Sequence, residues 1–281
     1  MSYIIALDVD SGVCIQKNPC DRQMAKIPLT RRIMSALADP RGEYKFGKVF
    51  IRFFETRIGA DKDHWNFALF ADDKLSLSKS DDFQDLWVLY ETNSHTSGFF
   101  VEVGASDGLR KSNCWLLEEQ GWQGIAIEPD PVSFETLEGV RKCKVRQVAV
   151  VPGFSLLPWR LLGRVGSGIS ERSTSFTQAL RAPKTFLWSL CIVPAKKLSV
   201  ILENCNAPRN IDYISLDTEG GEIRMFQEAL ETGYIFDLVS IEASTEHVRE
   251  VIRYQMRKND YEERFPGIAR SDLLFRRRRC N

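Results

Sequence analysis

The chain has 281 residues, with 38 basic and 38 acidic side chains and a formal net charge of zero. Hydrophobic residues make up 43% and charged residues 27%, a globular balance that excludes a disordered polyelectrolyte, a collagen-like repeat and a small disulfide scaffold. Residues 1–96 carry 13 basic and 14 acidic side chains and the remainder 25 and 24, so no domain-wide basic face is expected and nucleic acid is not the expected partner.

The first 96 residues are irregular in pattern. "TRRIMSALADP" reads as a short helix stopped before Pro40, "KVFIRFFETRIG" has strand-like β-branched and aromatic content, and "DDFQDLWVLYET" reads as a helix with Asp81 or Asp82 near its start. From Gly98 the rhythm becomes strand and helix in alternation. "FFVEVG" is a strand, "SNCWLLEEQG" a helix ending at Gly121, and "WQGIAIEPD" a second strand. "PVSFETLEGVR" is a helix opened by Pro131, and "KVRQVAVV" a third strand. "IDYISLDTEGG", "EIRMFQEALETG", "FDLVSIEAS" and "TEHVREVIRYQMRKN" continue as strand, helix, strand, helix, and "DLLFRRR" reads as an edge strand. Repeated units of this spacing predict an α/β fold: a mostly parallel, doubly wound sheet with helices on both faces, here preceded by an N-terminal extension over 1–96. Ligands of such sheets sit at the carboxyl ends of the strands. Val151–Leu202 interrupts the rhythm. It holds seven basic residues, among them Arg160, Arg164 and Arg172, against the single acid Glu171, together with aromatics such as Trp159 and Trp188.

Seven cysteines, an odd number with no C-x-x-C pair, fit reduced thiols better than a disulfide framework or a zinc site. The opening "MSYIIALDVDSG" lacks a basic n-region, and no apolar run approaches the about 20 residues of a membrane-spanning helix. A cytoplasmic protein without a transmembrane segment is expected.

"VEVGASDG" sets Glu102, Gly104, Ser106 and Gly108 directly after a strand. The glycines permit a tight turn and close backbone approach to a ligand, and the acid welcomes a cationic amine while repelling a pyrophosphate. Twenty residues beyond Gly108, Glu128 ends the next strand, where a carboxylate grips ribose hydroxyls. This pair of acids points to the methyl donor S-adenosylmethionine. A dinucleotide-binding domain, or a generic glycine turn with a helix-capping acid, are the alternatives.

The stretches "GFFVEVGASDGLRKSNCWLLEEQGWQGIAIEPDPVSFETL", "QVAV", "IDYISLDTEGGEIRMF", "DLVSIEAS" and "RSDLLFRR" closely resemble the FkbM family of methyltransferases, and "DDFQDLWVLYE" resembles its lead-in helix. The resemblance implies a class I methyltransferase, Rossmann-like fold over 97–281; within it, the composition of 151–202 reads as a variable acceptor-site insertion. It implies S-adenosylmethionine-dependent O-methylation of a hydroxyl on a sugar, glycolipid or related small molecule. Transferred position by position, Glu102, Gly104, Ala105, Ser106, Asp107 and Gly108 would cradle the methionine end, with Asn113 near the cofactor. Glu128 and Pro129 would hold the ribose, and Val148 and Ala149 would lie near the adenine. Asp217, Glu219 and Glu222 would form the acidic end of the fourth strand.

Methyl transfer from a sulfonium needs an aligned attack and removal of the hydroxyl proton. Asp217 is the group expected nearest the methyl, serving both cofactor and catalysis, and Glu219 is the candidate base. Three crowded carboxylates raise at least one pKa towards the useful range. Glu222 reads equally as a helix-capping acid. Carboxylate oxygens suit Mg2+, but the spacing requires no metal and no metal ligands are assigned. His247, after "IEAS", is a further base candidate against a plain solvated helix start. The aromatics of Val151–Leu202 suit stacking on sugars and its charge suits a phosphate, so a phosphate-linked glycan fits as acceptor. A non-catalytic binding or interaction module on the same fold is the alternative function.

Overall fold

The computed structural model describes residues 4–8, 12–16, 25–27, 62–152, 159–162, 190–218 and 221–278. Contacts divide the chain into two compact units, Met1–Ser76 and Leu77–Asn281. In the first, β1 (Ile4–Asp8), β2 (Gly12–Gln16) and β3 (Ala25–Ile27) form an antiparallel meander, which the irregular sequence pattern did not signal. Helix α1 (Lys62–Lys74) follows, with Phe67, Ala68 and Ala71 buried. The helix expected in "TRRIMSALADP" and the strand expected in "KVFIRFFETRIG" lie outside the described residues.

The second unit opens with α2 (Gln84–Glu91) and continues through β4 (Phe99–Val103), α3 (Trp115–Glu119), β5 (Gln123–Ile127), α4 (Pro131–Val140) and β6 (Lys144–Arg146). Pro131 sits in the first turn of α4, and the Asp130 carboxylate accepts the Ser133 amide at 2.9 Å, so this helix starts where its cap dictates. Short pieces follow: β7 (Ala149–Val150), β8 (Trp159–Leu162), β9 (Leu190–Val193), β10 (Ala195–Lys196) and α5 (Leu198–Asn204). The chain ends with β11 (Asn210–Leu216), α6 (Glu222–Glu231), β12 (Ile235–Glu242), α7 (Glu246–Lys258), β13 (Tyr261–Arg264) and β14 (Asp272–Arg277).

Seven strands form one sheet in the order β13-β14-β12-β11-β4-β5-β6. The run from β12 to β6 is parallel, and β14 is antiparallel to both its neighbours. Branched and aromatic residues fill its faces: Val101, Ile125, Ile214, Val239 and Phe275 are fully buried. Phe226 of α6 packs against Phe236 and Tyr261 at ring separations of 5.6 and 5.4 Å. Helix α2 lays the fully buried Trp87 edge-on to Tyr213 of β11 at 6.2 Å. This is the doubly wound α/β architecture expected.

Three details differ. "DLLFRRR" is an inner strand, because β13, whose "YEER" is too short and charged to stand out, takes the edge. "KVRQVAVV" is split: β6 joins the main sheet, while β7 pairs with β10. The expected excursion over 151–202 contains β8 paired with β9, and its end forms β10 and most of α5. Residues 153–158 and 163–189, including Arg164, Arg172 and Trp188, lie outside the described residues.

Candidate active site

From β4 the chain moves outward to β5 and β6, then returns to β11 on the other side of β4. The winding direction therefore reverses between β4 and β11, and ligands of such sheets sit beyond the carboxyl ends of the strands at that switch point. Register sets which residues stand there. Leu216, Val103 and Ile127 stand level across β11, β4 and β5, and Leu216 is level with Ile241 of β12. The next residue of each strand, Asp217, Gly104, Glu128 and Glu242, therefore forms one row along the rim.

Gly104 has φ +86°, and a Cβ there would stand 1.8 Å from the Asp217 carbonyl oxygen. The two strand ends touch through backbone that only glycine allows. Ser106 takes the left-handed region at φ +48° and donates its amide to Glu128 Oε2 at 2.8 Å. The Gly108 amide closes the loop on the Ala105 carbonyl at 2.9 Å. Ala105 is buried beneath it. Asp107 accepts the amides of Leu109 and Arg110 at 3.1 and 2.8 Å and pairs with Arg110 Nε at 2.5 Å. Burial would raise its carboxyl, but the Arg110 side chain and these amides prevail and hold it below the usual carboxylate range.

Glu128 is buried, and its Oε1 accepts the Asp130 amide at 2.8 Å. Burial pushes its carboxyl up, against the pull of its two backbone donors. A carboxylate has about four acceptor positions, so two are left to receive hydroxyl donors. Pro129 is half-buried beside it. Val148 and Ala149 are buried beyond the end of β6, where the chain enters β7.

Glu102 is placed differently from a group offered to a ligand. Its Oε1 accepts Ser112 Oγ at 2.9 Å and the Asn113 amide at 2.7 Å, and its Oε2 accepts Arg141 Nη1 at 2.8 Å. Asn113 is also buried, donating Nδ2 to Ser215 Oγ at 2.9 Å. Sequence reasoning missed Arg141, since a basic residue just past an amphipathic helix carries no signal of a partner 39 positions earlier.

Asp217 is exposed on the rim, and Lys111 stands close enough to feel its charge while pairing with Asp81 at 2.7 Å. Glu219 and Gly220 lie outside the described residues. Glu222 is buried and accepts Thr218 Oγ1 at 2.8 Å, closing the turn ahead of α6 in the manner of a capping acid. His247 is exposed in the first turn of α7. Among the described residues no group of three His, Cys, Asp or Glu side chains is arranged to hold a metal ion, and no helix is long and apolar enough to cross a membrane.

The family model described as the methyltransferase FkbM domain matches residues 102–263, more than half of the chain, from the glycine loop through β13. The chain belongs to the FkbM methyltransferase family. This FkbM domain has the class I fold, built on the seven-stranded sheet. A methyltransferase from Geobacter sulfurreducens is 10% identical over 81% of this chain and 94% of its own, with a TM-score of 0.41. A TehB-like S-adenosylmethionine-dependent methyltransferase from Corynebacterium glutamicum is 9% identical over 76% and 97%, with a TM-score of 0.38. The METTL16 methyltransferase domain is 13% identical over 85% and 96%, with a TM-score of 0.42. No curated protein matches the chain. The FkbM membership makes this a methyltransferase and implies S-adenosylmethionine as its donor. The donor set suits that molecule: a glycine loop packed against the neighbouring strand end, and a rim carboxylate with acceptor positions left for ribose hydroxyls.

Proposed function

We propose that this FkbM domain methylates a hydroxyl group on a sugar, glycolipid or related small acceptor. The observation that carries the reading is the rim row, where Glu128 and Gly104 on adjacent strands stand beside the exposed Asp217. In this reading Glu128 receives the ribose hydroxyls and the loop from Gly104 to Gly108 holds the methionine end. S-adenosylmethionine supplies an electrophilic methyl group when bound. The protein then has to orient the acceptor oxygen and take its proton. Asp217, exposed on the rim, orients the hydroxyl, and Glu219, two residues on, accepts the proton. A positioned base of this kind contributes about 10²–10⁴-fold in rate. The basic and aromatic content of Val151–Leu202 supports an acceptor that carries phosphate beside its sugar.

Calorimetry with S-adenosylmethionine and S-adenosylhomocysteine tests the donor site. Wild type is expected to bind both, and Glu128→Ala to lose at least about tenfold in affinity, the worth of one or two hydroxyl bonds to a buried carboxylate. With labelled donor, a panel of phosphorylated and neutral glycans is expected to accept methyl groups. Asp217→Asn and Glu219→Gln should lower that transfer while leaving S-adenosylhomocysteine affinity within a few-fold. Methylation of an included RNA oligonucleotide, with no glycan methylated, would overturn the acceptor assignment.

A further inference from the structure

Arg141 follows α4 and runs back beneath the glycine loop with its side chain fully buried. Its Nη1 donates to Glu102 Oε2 at 2.8 Å, to Ser112 Oγ at 3.1 Å and towards the Gly108 carbonyl at 3.4 Å. Its Nε donates to Glu118 of α3. The aliphatic stem supports Gly108 directly, since a Cβ on that glycine would come within 3.0 Å of Arg141 Cγ. The guanidinium stands over the Phe100 ring at 5.5 Å, and that ring itself fills the space above Gly124. From Glu102 the connection continues through the Asn113 amide and Asn113 Nδ2 to Ser215, two residues before Asp217. One side chain thus reaches the end of β4, the glycine loop, Glu118 of α3 and, through a path of three hydrogen bonds, Ser215 near the end of β11.

Stability does not explain this arrangement. One guanidinium lies between two carboxylates, Glu102 and Glu118, whose side chains are 4% and 6% exposed, which leaves a net buried charge. Well-packed apolar residues serve stability as well as or better than buried ions of this kind. Arg141 Nη2, also buried, has no hydrogen-bond acceptor among the described residues. A buried donor left unpaired costs stability. What the trio does supply is geometry, because a guanidinium directs donors along fixed and divergent lines.

We propose that Arg141 is a positioning residue for the methyl-donor site, fixing the loop 104–113 and the buried Glu102 so that the loop's backbone groups meet the donor ready-formed. The inference rests on reading that loop as the donor site. It gives Glu102 and Asn113 the task of carrying Arg141's hold to the loop and to β11, in place of touching the donor. A lysine keeps the charge but cannot direct one donor to Glu102 and another to Glu118.

The test compares full-length wild type, Arg141→Lys and the isosteric Glu102→Gln. Two readouts are taken: S-adenosylhomocysteine affinity by calorimetry, and backbone hydrogen exchange without ligand. Each variant is expected to bind S-adenosylhomocysteine about tenfold or more weakly, the equivalent of one lost charge-assisted hydrogen bond. Exchange is expected to quicken in 104–113 while the β12 segment 235–242 keeps its wild-type protection. Affinity within twofold of wild type with unchanged loop exchange would overturn the proposal. So would exchange that rises equally in both segments, which marks a general structural role. If Arg141→Lys does not fold, Glu102→Gln decides by the same readouts. Should wild type bind no donor, the donor-site reading fails, and selective loop exchange still reports whether Arg141 holds the loop.

Discussion

At Gly104 a missing side chain does more than a present one. The residue lies at φ +86° with the Asp217 carbonyl oxygen 1.8 Å from where its Cβ would be. Gly104→Ala therefore combines a left-handed backbone with a collision against main chain, which cannot swing aside as a side chain does. We expect a loss of at least about 2 kcal/mol in unfolding free energy, read from denaturant curves. Donor binding should fall with it, because the strand ends must part. A variant with wild-type midpoint and affinity would show that the β4 and β11 ends are not in contact in solution. Gly104 and Glu128 were legible in the sequence because the pattern is local: a β-run, then glycine, then an acid at the end of the next β-run. Arg141 was not. Its partners Glu102, Ser112 and Glu118 come together only once α4 has packed and the chain has turned at its end. The contact of Asp217 with Gly104 was equally invisible, since it depends on which strands become neighbours.

Between elements, the start of α2 and the segment just before it are tied to the start of β14. Gln84 Nε2 donates to Asp272 Oδ2 at 2.8 Å, and the Ser271 amide donates to Asp82 Oδ2 at 2.8 Å. Asp272 is buried at the start of β14, beside Glu242 at the end of β12. Burial pushes its carboxyl up to about 7; the Gln84 bond and Arg249 work against this, while Asp82 and Glu242 reinforce it. The native state thus keeps this proton after the unfolded chain has released it near pH 4. Asp272 takes nothing from stability below about pH 4, lowers it progressively as the pH rises to about 7, and holds it down beyond. Asp272→Asn keeps an acceptor for Gln84 and cannot ionise. Its unfolding free energy should match wild type near pH 4 and exceed it by about 1–4 kcal/mol above pH 7. Parallel stability profiles across that range would refute the assignment. The alternation of strands and helices was legible, because amphipathic periods of ten or more residues outweigh local noise. The order at the sheet's edge was not, as "DLLFRRR" and "YEER" say nothing of which lies inside.

For the whole molecule, the question is where the methyltransferase unit begins. The family match starts at Glu102 and the sequence rhythm at Gly98, yet the compact unit begins at Leu77. The difference is α2. Leu86, Trp87, Val88 and Leu89 are buried, and Glu91 pairs with Arg264 at 2.6 Å and Arg276 at 2.8 Å. Burying four such side chains is worth about 6–12 kcal/mol, as large as the about 5–15 kcal/mol that holds a domain together. Without α2, Tyr213 loses the Trp87 ring against it, and Arg264 of β13 and Arg276 of β14 lose the Glu91 carboxylate, Arg276 keeping Glu262. A chain starting at Leu77 is therefore expected to fold cooperatively and to bind S-adenosylhomocysteine with the affinity of the full chain. A chain starting at residue 97 is expected to be insoluble, or to unfold without a cooperative transition. Circular dichroism melts and calorimetry on the two truncations separate the outcomes. A stable, donor-binding protein from residue 97 would put α2 in the extension, whereas a chain from Leu77 that fails to fold would make Met1–Ser76 part of the folding unit.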